Sequence, residues 1–145
     1  MEATATNIHA GRIERLAAED PFAAGQLPGY WVILHLEDSG HLLFTSGQSL
    51  QAGSCSLAGR QGFYCAFTPL FMPEKLARRI ERLSIFTAKY KGRVQLSGVQ
   101  AAAVSRIFEL LLAELTSEYA HKLDLMRNYV VQIIHFGLRN AGGGA

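Results

Sequence analysis

Residues 96–139 read LSGVQAAAVSRIFELLLAELTSEYAHKLDLMRNYVVQIIHFGLR, and how this stretch divides decides the fold. After Gly98 it contains no proline and no glycine before Gly137, so nothing in the backbone chemistry stops a helix. Ser97-Gly98-Val99-Gln100 has the form of a capping box. The serine hydroxyl accepts from a free N–H of the first turn, and the glutamine side chain reaches back to the serine N–H. One unbroken helix from Val99 to His135 would be roughly 55 Å long at ~1.5 Å per residue. A compact domain of this length is only about 40 Å across. The chain therefore folds back on itself. The polar group Ser117–Asp124 is the place for the break, with Asp124 expected to cap the second helix.

Both halves of this hairpin are apolar over arcs roughly double the ~100° stripe that a surface helix needs. Placed at ~100° per residue, Ile107, Leu111 and Leu115 fall in the first arc and Met126, Val130 and Ile133 in the second. Packing against one sheet leaves such arcs partly uncovered, and isologous pairing is the common remedy. Those six residues are accordingly expected at a homodimer interface. The alternative is a hairpin sandwiched between a sheet and the helix that follows Pro73.

Upstream, the pattern changes from helical to alternating. Tyr30–Glu37 is rich in aromatic and β-branched residues, Asp38-Ser39-Gly40 turns the chain, and His41–Thr45 returns it as a hairpin. Ser46-Gly47 and Ala52-Gly53 punctuate two more short segments, and Phe63–Thr68 reads as a further strand. Pro73 opens a helix with Glu74 at its positive end and Leu76, Ile80 and Leu83 as its buried stripe. The expected class is α+β: a small antiparallel sheet or partial barrel, a short helix, then the long antiparallel helical hairpin. Within one domain over 1–145, the expected parts are an arm over 1–24, a β region over 25–72 and a basic helix and loop over 73–93. The hairpin over 96–139 and a flexible tail over 140–145 complete the chain.

Composition narrows the function classes. Of 145 residues, 49% are hydrophobic and 18% charged, which excludes a disordered chain as the default. No apolar run is long enough to span a membrane, and the first residues lack the apolar core of a secretory signal. Cys55 and Cys65 read as two small thiols, and the location expected is the cytoplasm. Between Glu74 and Arg93 seven cations face two acids, but stacking aromatics are not interleaved along the segment as a nucleic-acid groove requires, only Phe86 and Tyr90 lying near its end. A solvated basic face is expected there.

GFYCAFTPLFM over 62–72, PEKLARRIERLSIF over 73–86 and the hairpin sequence together resemble the N-terminal sensor domain of AraC-type bacterial transcription regulators. The likeness covers the C-terminal two thirds. It is densest from Glu114 through Ser117, Tyr119, Lys122 and Asp124 to Arg127-Asn128-Tyr129 and His135. It implies a cupin-like barrel with an effector pocket, a dimerising helix pair, and DNA binding only through a separate helix-turn-helix domain that these residues do not include. The joining segment Ser56–Gln61 is shorter than in that family, so the barrel is expected to be clipped.

The chemistry expected is binding, not catalysis. No phosphate loop, nucleophile elbow or zinc-protease motif occurs. A cupin metal set would have to come from His35, Glu37 and His41. No histidine lies between His41 and His121, so the second ligand-bearing motif is missing and neither metal nor cofactor is expected. An effector pocket, if lined by one alternating strand face, would use Trp31, Ile33 and His35, with Tyr64 beside them. The expected function is a ligand-sensing and dimerising domain. A standalone dimerising modulator of a related regulator, or a small metal-dependent cupin enzyme, is the alternative.

Overall fold

The computed structural model describes residues 3–5, 7–15, 29–46, 59–83 and 93–141. The short segments expected around Gly47 and Gly53, residues 16–24 of the expected arm, Cys55 and residues 84–92 lie outside them. The architecture is α+β. An antiparallel sheet is built from β1 (Ala3–Ala5), β2 (Ile8–Arg12), β3 (Trp31–Leu36), β4 (His41–Ser46), β5 (Gly62–Phe67) and β6 (Arg93–Gln95). Its strand order is β1-β2-β5-β3-β4-β6, antiparallel at every pairing. Helix α1 (Glu74–Glu81) follows a 3-10 turn at Pro69–Phe71, and two long helices, α2 (Gly98–Leu115) and α3 (Lys122–Ala141), complete the fold.

Two strands correct the sequence reading. Residues 8–12, expected within an arm, pair with β5 from Ile8↔Phe67 to Arg12↔Phe63, and Arg93, expected in a basic loop, pairs with Leu43. Neither IHAGR nor RVQ has marked strand propensity on its own. What recruits them is burial: Ile8, Ala10 and Val94 enter the core while their backbones complete the ladder. The first two residues of the expected tail, Asn140 and Ala141, belong to α3.

Strand alternation gives the sheet two buried faces. Toward the helices point Ile8, Ala10, Ile33, Leu42, Phe44, Phe63, Cys65 and Phe67, which share one core with α1, α2 and α3. Away from them point Val32, Leu34, Leu36, Leu43, Tyr64 and Ala66, clustered with Ile13. Two glycines permit close approaches. A Cβ on Gly62 would overlap the His35 carbonyl of the paired strand, and the residue sits at φ +147°. On α3, a Cβ at Gly137 would overlap the Phe44 ring.

The hairpin breaks where the polar group lies, α2 ending at Leu115 with Thr116 as its cap. The capping box is present: Gln100 N–H donates to Ser97 Oγ at 3.2 Å, and Ser97 N–H donates to Gln100 Oε1 at 3.0 Å. Lys122 Nζ donates to the Leu115 and Ser117 carbonyls, satisfying acceptors left free at the α2 C-terminus. Asp124 does not cap. It is the third residue of α3, and its carboxylate pairs with Arg127 at 3.0 Å.

The six residues expected at a dimer interface are corrected by burial. Ile107, Leu111, Leu115, Met126, Val130 and Ile133 are all buried within the single chain, in the core shared with the sheet. These residues meet the sheet and the other helix of the hairpin within the single chain. Leu125, Tyr129 and Phe136 form a half-buried flank of α3, with Val131 and Leu138 also half-buried.

Candidate functional site

Position 35 is the one buried polar or charged residue among the described residues. His35 lies on β3 with its ring in the helix-facing core, near-parallel to Phe63 of β5 and Phe108 of α2 at centroid distances of 6.4 and 6.2 Å. Its Nε2 meets Ser105 Oγ at 2.9 Å and the Ala101 carbonyl at 3.2 Å, both on α2. Its Nδ1 faces the His41 carbonyl of β4 at 3.4 Å. Ser105 donates its one hydroxyl proton to Glu37 Oε2 at 2.8 Å. The hydroxyl oxygen must then accept from the ring, so Nε2 carries the proton of the neutral imidazole.

The relay continues to the sheet edge. Glu37 Oε1 accepts from Arg12 Nη2 at 2.8 Å, Arg12 Nε donates to Glu14 Oε2 at 2.8 Å, and Gly62 N–H donates to Glu14 Oε1 at 3.2 Å. The Arg12 guanidinium also lies over the Phe63 ring, 4.4 Å from its centroid. Six residues from β2, β3, β5 and α2, with the turns between, thus join a buried imidazole to a half-exposed ion pair.

Electrostatics follow from this layout. Burial pushes the His35 imidazole below its ordinary value. The His41 and Ala101 carbonyls and the Glu37 charge oppose that, and Arg12 adds to it. Burial raises the Glu14 carboxyl, but its own backbone N–H, the Gly62 N–H and Arg12 outweigh that and hold it below the usual carboxylate range. At the neighbouring turn, bidentate bonds from Arg60 bring Asp38 down to about 2. The Cys65 thiol is buried and pushed up, so it is inert as a nucleophile.

The expected pocket set does not assemble. Register pairs Ile33 with Cys65 and Leu34 with Tyr64, so Tyr64 shares a face with Leu34. Trp31, Ile33 and His35 lie beneath the helices, and Tyr64 belongs to the opposite cluster. Nor do His35, Glu37 and His41 form a ligand set. The first two are bonded into the relay, the His41 ring is held by Ser39 Oγ at 2.9 Å, and no group of three metal-ligating side chains occurs among the described residues. His35, Ser105 and Glu37 are no catalytic triad either, because the serine stands between the base and the acid and gives its proton to the carboxylate. The partner missing from the sequence reading was Ser105, 70 residues from His35. Its only signal was a polar residue bordering the apolar arc of the first helix.

The other anchor of the hairpin is Arg127, which donates to the Phe71 carbonyl and lies 5.5 Å from the Phe71 ring centroid. Ser117 donates to Glu114 at 2.7 Å within the interhelical turn. No helix of the described residues is long and apolar enough to cross a membrane.

No protein family, curated protein or solved structure matches this chain.

Proposed function

We propose that this chain is the cytoplasmic sensing and dimerisation domain of an AraC-like regulator, a non-enzymatic module with a cupin-like sheet. The observation that carries the reading is how the hairpin is fastened. Glu114, Ser117, Lys122 and Arg127, within the segment where the resemblance is densest, close the interhelical turn or tie it to the turn after β5. A hairpin locked so to one sheet face is suited to report on events at the other face. The effector would meet that opposite face, lined by Val32, Leu34, Leu43 and Tyr64 in place of Trp31, Ile33 and His35. It would be a small, largely apolar molecule, since that cluster offers no charged group.

A second copy would pack on the half-buried flank of α3, Leu125, Tyr129 and Phe136, in place of the six residues that the core consumes. DNA would be contacted by a helix-turn-helix domain outside these residues. Sedimentation velocity tests the assembly. The expected outcome is a dimer that Tyr129→Glu converts to a folded monomer, and a wild-type monomer at high concentration would remove the dimerisation half of the reading. A sequence-specific, salt-resistant DNA shift by residues 1–145 alone would contradict the rest.

A further inference from the structure

We propose that His35, Ser105 and Glu37 form a proton-sensitive latch, in which a second proton on the His35 ring releases the first hairpin helix from the sheet. The latch stands on the geometry beneath α2 and is independent of the regulator reading.

In the neutral state the protons of the relay run in one direction, toward Glu37. His35 Nε2–H goes to Ser105 Oγ, Ser105 Oγ–H goes to Glu37, and Glu37 is held on its other oxygen by Arg12. The vacant lone pair is on Nδ1, facing the His41 carbonyl at 3.4 Å. A second proton would enter there and make the ring a cation beside the stacked Phe63 and Phe108 rings, with the residue wholly buried. Its surroundings compensate that charge only in part. From β3 the Glu37 carboxylate stands one hydroxyl away, but it is already paired with Arg12 of β2. Glu14, in the turn after β2, is spent on Arg12 and Gly62. From β4 comes the His41 carbonyl, that residue's own imidazole being bonded to Ser39. From β5 comes the Phe63 ring, and from α2 come Ala101 O, Ser105 Oγ and Phe108.

A buried cation so placed gains most by reaching water. The strands on either side of β3 are held by continuous ladders, six pairs to β4 and six to β5. Only α2 covers the ring by side-chain packing and single hydrogen bonds, so lifting α2 is the least disruptive way to hydrate it. The native ring binds its proton more weakly than a hydrated imidazole, whose pKa is about 6.5. The closed state is therefore fully favoured above that value. As pH falls below it, the open state takes up a proton that the closed state refuses, and closure weakens until the native ring titrates as well.

Hydrogen exchange with mass spectrometry on the intact chain, corrected for intrinsic rates, tests this between pH 7.5 and 5. Protection of α2 amides over 101–112 is expected to fall by up to about tenfold per pH unit below about pH 6.5, while β3 and β5 amides keep theirs. His35→Leu should leave α2 protection flat with pH, because the Ala101 carbonyl keeps its helical bond and Ser105 still donates to Glu37. If that variant does not fold, His35→Gln, which donates to Ser105 but does not titrate, carries the same expectation. His41→Gln is the control and should retain the wild-type fall. The latch is overturned if wild-type α2 protection does not change with pH. Sheet and hairpin losing protection together, or both His35 variants keeping the wild-type acid response, would overturn it equally.

Discussion

The two faces of the sheet are both buried, yet they are built on different chemistry. The helix-facing side carries Phe44, Phe63, Phe67 and one histidine whose bonds run to α2 and to an ion pair at the sheet edge. The opposite side is Val32, Leu34, Leu36, Leu43, Tyr64 and Ala66, with no buried charge or imidazole among the described residues. Apolar packing alone tolerates sliding and repacking, whereas hydrogen bonds have direction and fix one arrangement. The hairpin is thus held in a specified position, and the far face is specified mainly by shape. That is the division expected of a module in which one face accommodates and the other transmits.

Substitutions can break or sharpen this contrast. Phe108→Ala, which empties the place stacked on His35 and Phe63, should cost about 3–5 kcal/mol in urea denaturation. A cost near that of an exposed site would mean the hairpin is only loosely docked. Gly137→Ala forces a methyl into the buried Phe44 ring and should cost about 1–3 kcal/mol, read the same way. Ser105→Ala should cost about 1–3 kcal/mol, since it removes a hydrogen bond to a carboxylate and one from the buried His35 ring, and make α2 protection less than that of the sheet at neutral pH. The smallest effect belongs to Asp38. Its depressed carboxyl contributes stability above its ordinary value of 3.8, lost as pH falls toward about 2. Asp38→Asn should therefore flatten the acid limb of a thermal-melting profile below pH 4 without altering the His35 window near neutrality.

What could be read from the sequence was local. The capping box needs only four consecutive residues, and the hairpin break needs only a polar cluster longer than half a turn, so both were visible in 96–139. The strands β2 and β6 were not, because their pairing partners lie far along the chain and their own residues carry weak preference. The breadth of the helical arcs was legible, but not what each part of an arc would meet. Ile107 and Val130 look the same on a helical wheel whether a sheet or a second chain covers them. Strand alternation placed Ile33 with His35 correctly. It could not say that helices would cover that face, nor that the register would turn Tyr64 to the other one.

The strand order has a consequence for how the chain folds. Lys122 reaches carbonyls five and seven residues back, so the hairpin can close among near neighbours in the sequence. The sheet has no such shortcut: β2 must wait for β5, and β4 must wait for β6, which arrives just before the hairpin itself. Pairings of that span close slowly. After dilution from denaturant, helical signal should return before the Trp31 fluorescence reports a finished core, and during synthesis the sheet edge beside β4 stays open until Arg93–Gln95 has been made.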